Sequence, residues 1–88
     1  MIGRPIPPAR EGGLQERRLS DLLPGEQARV VGIGGGMNLR RRLADVGFIP
    51  GVQVEVVRVL AGGRLIEVAV RGTRFGLRWQ EARQVRVE

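Results

Sequence analysis

The segment VQVEVVRVL, Val52 to Leu60, decides the fold that the sequence predicts. Its apolar residues alternate at positions 52, 54 and 56 and then change parity to positions 57 and 59. A strand that changes parity in this way contains a bulge or a sharp bend, so that its two halves serve different faces of a small barrel. The first expectation is therefore a strongly curved, all-β domain.

The residues that follow this strand predict a meander. Short runs rich in valine, leucine and isoleucine are separated by glycine-containing turns, as in consecutive hairpins. The expected elements are a turn at Gly62-Gly63, a strand Leu65 to Val70, a turn at Arg71-Gly72, a strand Thr73 to Arg78, a single 3₁₀ turn Trp79 to Ala82, and a last strand Gln84 to Val87 with Val85 and Val87 inward.

Before the bent strand, the sequence predicts one further strand, preceded by a single helical turn. QARVVGI, Gln27 to Ile33, is rich in β-branched residues and lies between a Pro-Gly turn and a glycine triplet, which is typical of a strand. Before it, Ser20 is predicted to cap a single helical turn over Asp21 to Leu23, which the tight turn at Pro24-Gly25 ends.

A short helix is predicted between the first strand and the bent strand, within GGGMNLRRRLADVGFIPG, Gly34 to Gly51. Asn38 is the expected N-cap, and Gly47 is the expected left-handed residue at the C-terminal end. Leu39, Leu43 and Val46 fall on one apolar stripe, and Pro50-Gly51 suits a type II turn.

Together these elements predict a small SH3-like barrel of about five strands, with one short α-helix inserted after the first strand. The OB barrel is the nearest alternative, but its helix normally lies between the third and fourth strands. Residues 19–88 form the predicted domain. Residues 1–18 contain three prolines, three glycines and four arginines and few large apolar residues, which predicts a flexible basic tail.

Composition argues against an enzyme. The chain has no histidine, cysteine, lysine or tyrosine, and Ser20 and Thr73 are its only hydroxyl residues. The common general bases, thiol nucleophiles and nitrogen or sulfur metal ligands are therefore missing. The nine acidic residues are scattered, and nothing in the sequence brings Asp21, Glu26, Asp45, Glu55 and Glu67 together as oxygen ligands. We expect no catalytic residue, no cofactor and no metal site.

No apolar run approaches the roughly 18 residues of a membrane span, and the N-terminal residues lack the apolar core of a secretory signal. A cytoplasmic protein without direct membrane insertion is the expectation. The formal charge of +6 comes entirely from arginines and makes an acidic protein surface or a nucleic acid a plausible partner.

The arginine run Arg40 to Arg42 lies on the exposed arc of the predicted helix, where it forms either a solvated helix face or a binding surface. Nucleic-acid surfaces normally add aromatic side chains on which bases stack, but the chain has only three aromatic residues, Phe48, Phe75 and Trp79. Phe75 shares parity with the inward Leu77. Trp79 is interpreted as a residue that closes the barrel, in its core or at its rim. An acidic protein partner needs no platform. The predicted partner-binding residues are Met37, Asn38, Arg40, Arg41 and Phe48.

The glycine run Gly34 to Gly36 raises the alternative of a phosphate-binding loop. A P-loop requires a Gly-Lys pair followed by serine or threonine, and the chain has no lysine. A flexible connection is favoured.

The ordered motifs LSDLLPGEQARVVGI, LRRRLADVGFIPG and VRGTRFGLRWQEARQVRVE closely resemble the ferrous iron transport protein A (FeoA) family over Leu19 to Glu88. The resemblance implies a small, cytoplasmic, non-enzymatic SH3-like protein that acts beside FeoB, the membrane permease with a cytoplasmic GTPase domain. It also raises transition-metal binding, for which this sequence offers no evident ligand set.

Three alternatives stay open at this point. The first is a basic barrel that binds nucleic acid, although the lack of aromatic platforms argues against it. The second is an iron-responsive sensor, because a similar SH3-like module ends the iron-dependent repressors of the diphtheria toxin repressor type. The third concerns assembly: an exposed barrel edge could support a homo-oligomer.

Overall fold

Six antiparallel strands in one curved sheet, with two short helices, make up Arg17–Glu88, the part of the chain that the computed structural model describes. The strands are β1 (Arg17–Arg18), β2 (Gln27–Ile33), β3 (Gln53–Leu60), β4 (Leu65–Val70), β5 (Thr73–Arg78) and β6 (Val85–Val87); the helices are α1 (Met37–Asp45) and α2 (Trp79–Ala82). Short 3₁₀ turns occupy Leu19–Asp21 and Ala61–Gly63. The strand order across the sheet is β1-β6-β2-β3-β4-β5.

This architecture confirms the predicted all-β barrel with a short helix after the first long strand. The sheet has one strand more than expected, because Arg17 and Arg18 form the two-residue strand β1, which pairs with β6. The prediction placed these two residues in the tail. The rest of the predicted tail lies outside the described residues.

The bulge predicted in β3 is present. In the pairing of β3 with β4, Val56 lies opposite Val68, and Arg58 then lies opposite Glu67, so Val57 is the extra residue. Val54 and Val56 before the bulge are buried, whereas β3 leaves the core after it and Val59 is exposed. The parity change therefore marks the bend correctly, but the second half of the strand does not serve a buried face.

Alternating residues from the strands form the core, to which the 3₁₀ turn, α1 and α2 each contribute a buried side chain. The largest fully buried side chains are Leu19, Val30, Leu43, Phe48, Val54, Val56, Val68, Val70, Leu77 and Val85. Val85 and Val87 of β6 point inward as predicted. No polar or charged residue is buried in Arg17–Glu88, so apolar burial supplies the main stabilisation of the domain.

The predicted tight turns are also in place, but Trp79–Ala82 forms the α-helix α2 and not the predicted 3₁₀ turn. The N–H of Val52 donates to the carbonyl of Ile49 at 3.1 Å across Pro50-Gly51, and the N–H of Glu26 donates to the carbonyl of Leu23 at 2.9 Å across Pro24-Gly25. Each bond closes a four-residue turn. The loop between β4 and β5 has two residues with positive φ, Arg71 at 53° and Gly72 at 82°, as a type I′ hairpin turn requires.

The predicted cap of the first helical turn is wrong. The helical turn predicted over Asp21 to Leu23 lies two residues earlier, at Leu19–Asp21, so Ser20 is inside it and not at its N-terminal end. The Asp21 carboxylate accepts a hydrogen bond from the backbone N–H of Arg18 at 2.9 Å instead. This carboxylate, at the third position of the turn, satisfies the backbone N–H of the residue that precedes the turn.

Candidate protein-binding surface

Helix α1 starts two residues earlier than predicted, because its N-cap is Gly36 and not Asn38. Gly36, with extended backbone, is the N-cap, and its carbonyl accepts the N–H of Arg40 at 3.1 Å. Asn38 therefore lies in the first turn of α1 and is not its cap. Glycine is tolerated at an N-cap, where it leaves the N–H groups of the first turn open to solvent.

The carboxyl end of α1 is closed by backbone bonds around Gly47, which has the predicted positive φ, 98°. The N–H of Gly47 donates to the carbonyl of Ala44 at 3.0 Å, and the N–H of Phe48 donates to the carbonyl of Leu43 at 2.8 Å. This pair of bonds is the Schellman motif, in which the residue after the left-handed glycine packs against the residue five positions before it. Phe48 and Leu43 are both buried.

This geometry corrects two predictions. Phe48 was predicted to contact a partner, but it is fully buried and cannot do so from the folded domain. Val46 was predicted to pack as the third member of the apolar stripe, but it lies beyond the helix and is exposed. Phe48 takes the core position in its place, and the glycine at position 47 was the sequence signal for that exchange.

The remaining predicted partner-binding residues, Met37, Asn38, Arg40 and Arg41, are all exposed and lie on the first half of α1. We call these four residues the α1 surface. Met37 exposes 66% of its area, which is high for an apolar side chain. Within Arg17–Glu88, no carboxylate forms an ion pair with Arg40 or Arg41. The α1 surface therefore offers free guanidinium groups beside an adaptable apolar side chain.

The third arginine of the run has a structural role. The guanidinium of Arg42 donates to the Glu81 carboxylate at 2.8 Å, which links α1 to α2. Glu81 also accepts the backbone N–H of Arg78 at 3.0 Å. Partial burial alone would raise the pKa of Glu81, but the hydrogen bonds from Arg42 and from the Arg78 backbone outweigh it and hold that pKa below its usual value.

Gly34 and Gly35, the first two residues of the glycine run, pack against Gln84, which directly precedes β6. The N–H of Gly34 donates to the carbonyl of Gln84 at 2.7 Å, so it is not available to an anion. A Cβ atom on Gly35 would lie 3.2 Å from Leu39 Cδ2 and 3.3 Å from Gln84 Cγ. At least at Gly35, glycine allows a close approach of neighbouring side chains.

The carboxylates considered as metal ligands are separated, and most of them have other partners. Asp21 accepts the Arg18 N–H, Glu26 accepts the Leu23 N–H at 2.7 Å, and Glu67 pairs with Arg58 at 2.6 Å. In the part of the chain that the structure describes, no group of three potential metal-ligating side chains comes together.

The last two aromatic residues differ in burial. Phe75 is half-buried and meets Phe48 edge-on, with 5.4 Å between ring centroids, which fits its predicted inward parity. Trp79 lies outside the core with 42% of its area exposed, and the Arg83 guanidinium lies 5.2 Å from its ring centroid. The interpretation of Trp79 as a rim residue is the one that agrees with the structure.

Neither helix of the described domain is long and apolar enough to cross a membrane. Residues 17–88 match the model of the FeoA domain. The chain belongs to the FeoA family. The match begins at the residue that opens β1 and covers every element described above.

Solved structures of FeoA proteins agree with this assignment. The solution structure of FeoA from Chlorobium tepidum is 33% identical with a TM-score of 0.78, and the match covers 82% of this chain and 69% of the other. FeoA from Stenotrophomonas maltophilia, solved with zinc and described as an SH3 domain protein, is 34% identical with a TM-score of 0.73, and the match covers 82% and 89%. That protein has been proposed as an activating factor for ferrous iron transport.

The same fold occurs in larger proteins. A manganese-dependent transcriptional repressor matches with a TM-score of 0.74 at 20% identity, over 82% of this chain and 40% of the repressor. That likeness shows the fold alone. No curated protein sequence matches the chain.

Proposed function

We propose that this protein is a non-enzymatic accessory factor of ferrous iron uptake that docks on the cytoplasmic part of the FeoB permease and regulates its activity. The observation that carries the proposal is membership of the FeoA family across residues 17–88. The activating role proposed for the S. maltophilia protein supports it.

The α1 surface supports docking on a protein. Arg40 and Arg41 have no carboxylate partner within the described domain, and Met37 is exposed beside them. Arginine can pair with carboxylates and pack its aliphatic stem at the same time, and methionine adapts to irregular contacts. We therefore place the docking contact at the α1 surface, against an acidic patch of the permease.

The residue types support a role without catalysis. The chain lacks histidine, cysteine, lysine and tyrosine, and in Arg17–Glu88 the acidic side chains act as caps and ion-pair partners at several positions. A docking protein needs none of the missing groups, because its effect comes from differential binding to the states of its partner.

Co-purification with full-length permease in detergent tests the proposal, with the permease free of nucleotide, bound to GDP and bound to a non-hydrolysable GTP analogue. We expect association in at least one state. Met37→Ala and Arg40→Ala should weaken it by about tenfold or more together, since interface arginines often contribute over 1 kcal/mol each. No association in any nucleotide state would overturn the proposal.

Matched controls come from outside α1. Leu23 is as exposed as Met37, at 68%, and Arg29 is an exposed arginine on β2. Leu23→Ala and Arg29→Ala should bind the permease like the wild type. If Met37→Ala and Arg40→Ala also bind like the wild type, the docking contact lies at another surface, and an exposed barrel edge is the next candidate.

Charge supports a second candidate, a nucleic-acid-binding barrel. Residues 17–88 carry thirteen arginines against seven acidic residues, so the whole excess of +6 belongs to the described domain. Binding to phosphates would weaken steeply with added salt, because each neutralised phosphate releases counterions. Negligible binding to RNA and DNA at low salt would remove this candidate. Equilibrium dialysis with Fe(II) under anaerobic conditions tests the iron-sensor alternative in the same way.

A further inference from the structure

A surface pocket of about 550 Å³ lies between the hairpin turn Ala61–Leu65 and the corner Arg78–Gln80. These two segments are neighbours because β4 and β5 pair with Leu65 opposite Arg78. The N–H of Trp79 then donates to the carbonyl of Arg64 at 2.8 Å. The strand pairing and this hydrogen bond therefore hold the two lining segments next to each other.

The lining of the pocket combines apolar surface with positive charge. Leu65 and Trp79 supply the apolar part, and Arg64 and Arg78 supply two guanidinium groups. No acidic residue lines the pocket, and within Arg17–Glu88 neither guanidinium forms an ion pair with a carboxylate. Arg83 adds a third positive charge above the ring of Trp79. This combination suits a ligand that is both anionic and partly apolar.

The pocket adjoins the free edge of the sheet at Arg78, the last residue of β5. β5 is the last strand in the sheet order, so only its β4 side is paired. The two-residue turn makes Val70 and Thr73 a hydrogen-bonded pair, and bonding then alternates along the ladder, which leaves the backbone groups of Arg74, Gly76 and Arg78 pointing away from β4.

Two hydrogen bonds agree with this alternation of inward-facing and outward-facing backbone groups along β5. The N–H of Arg78 points outward to the Glu81 carboxylate, and the N–H of Trp79 points inward to Arg64. In the described structure, no backbone bond reaches the outward N–H and carbonyl groups of Arg74 and Gly76. An unpaired edge of this kind accepts an extended peptide as an additional strand.

We propose that the β5 edge and the adjoining pocket form one binding site for an extended acidic peptide. The peptide backbone pairs with Arg74 and Gly76, one medium-sized apolar side chain sits against Leu65 and Trp79, and flanking carboxylates pair with Arg64 and Arg78. This proposal does not rest on docking to the permease, because the site lies on β4, β5 and the segments flanking them and not on α1.

A peptide fits better than a nucleic acid for two reasons. A phosphodiester backbone cannot complete the hydrogen bonds of a strand edge, whereas a peptide can. Single-stranded nucleic acids also bind by stacking successive bases on several aromatic rings, and Trp79 is the only aromatic residue in the lining, with Arg83 already lying above it.

Titration of the full chain with three synthetic peptides tests the proposal. The probes are acetyl-EDLVED-amide, its neutral twin acetyl-QNLVQN-amide, and acetyl-EDGGED-amide, which keeps the charge and lacks the apolar side chains. Trp79 is the only tryptophan and the chain has no tyrosine, so its fluorescence reports on this pocket alone. We expect saturable binding of the first peptide, and binding about tenfold weaker for each of the others.

Variants localise the binding. Arg64→Gln and Arg78→Gln should each weaken the first peptide by about tenfold, whereas Arg29→Gln, an equal change of charge on β2, should leave it unchanged. Gly76→Pro should abolish the pairing of the peptide with the β5 edge. The domain should still fold, because the N–H that this change removes is not used in the pairing of β5 with β4. Far-UV circular dichroism and the melting temperature confirm that each variant is folded.

Several results would overturn the proposal. One is the absence of saturable binding, and another is equal binding of the charged and neutral peptides. A third is equal loss of affinity in Arg29→Gln and Arg78→Gln, which would mean non-specific attraction by net charge. Tighter binding of a short single-stranded oligothymidine would favour a nucleic acid, and dimerisation of the chain that competes with the peptide would assign the edge to a second copy.

Discussion

The end of α1 and the start of α2 each carry a large aromatic residue, yet Phe48 is fully buried and Trp79 is 42% exposed. Phe48 follows a left-handed glycine whose backbone bonds turn the chain back onto the helix that precedes it. Trp79 begins a helix of four residues at the corner of an edge strand. The backbone at each helix end, and not the size of the ring, decides which aromatic side chain is buried in the core and which one stays exposed.

The largest expected effect on stability comes from Phe48, the buried member of this pair of aromatic residues. Phe48→Ala should lower the free energy of unfolding by about 3–5 kcal/mol, because it removes a fully buried ring and leaves a cavity beside Leu43 and Phe75. Urea denaturation followed by circular dichroism measures the change. A loss below about 1 kcal/mol would mean that α1 is held by other contacts. Phe48→Leu, which fills most of the cavity, is the matched control and should lose much less.

The glycine that directs Phe48 inward should have the next largest effect. Gly47→Ala should cost about 1–2 kcal/mol, because an L-residue is strained at this positive φ. A Cβ atom there would approach Val70 Cγ1 no closer than 3.5 Å, so the cost is conformational and not a clash. Thermal denaturation of Gly47→Ala and Gly76→Ala compares a left-handed glycine with a strand glycine whose φ is not positive and whose Cβ would meet Leu65 at an ordinary 3.6 Å. An equal loss in both variants would contradict this explanation.

Trp79, the exposed member of the pair, should tolerate truncation. Trp79→Ala should change the free energy of unfolding by less than about 1 kcal/mol, which is the size expected for one exposed cation–π contact with Arg83. Chemical denaturation followed by circular dichroism is the appropriate measurement, since the fluorescent side chain is absent. A loss as large as that in Phe48→Ala would show that the ring is part of the core, and the contrast between the two aromatic residues would disappear.

The link between the two helices should have the smallest effect, and it should depend on pH. The pKa of Glu81 is lowered in the folded state, so its contribution is present above its unfolded pKa near 4.5 and is lost as the pH falls through the lower folded value. Glu81→Gln should cost about 0.5 kcal/mol at pH 7 and should flatten the acid limb of the stability curve.

Arg42→Gln separates the contributions to this link. It removes the ion pair and keeps the hydrogen bond from the Arg78 backbone. The loss of stability of this variant as the pH falls should therefore be intermediate between the losses of the wild type and of Glu81→Gln. Melting temperatures from about pH 3 to pH 7 measure all three proteins. Identical acid limbs would show that Glu81 does not contribute through its charge.

Local patterns predicted most of the fold. The parity change in β3, the two hairpins after it and the inward valines of β6 depend on residues close in sequence, and all are present. Strand β1 was missed because two arginines carry no strand pattern of their own, and they are ordered through pairing with β6. Pairing between segments at opposite ends of a sequence leaves no local signal.

The site was less predictable than the fold. Helical periodicity predicts that Met37, Arg40 and Arg41 are exposed. The burial of Phe48 instead depends on the residue at which α1 ends. Helix ends are the least certain part of a sequence-based prediction. The pocket at Trp79 had no motif to indicate it. Arg64 and Arg78 come together through the register of β4 with β5, which a hairpin turn at Arg71-Gly72 fixes.

The position of β6 between β1 and β2 also has a kinetic consequence. β3, β4 and β5 pair with neighbours in sequence, whereas β6 must find β2 across α1 and the whole meander. Since long loops lose entropy on closure before they gain contacts, we expect the meander to form first and β6 to dock after the rate-limiting barrier. In stopped-flow experiments, Val68→Ala should then slow refolding, whereas Val85→Ala should mainly accelerate unfolding.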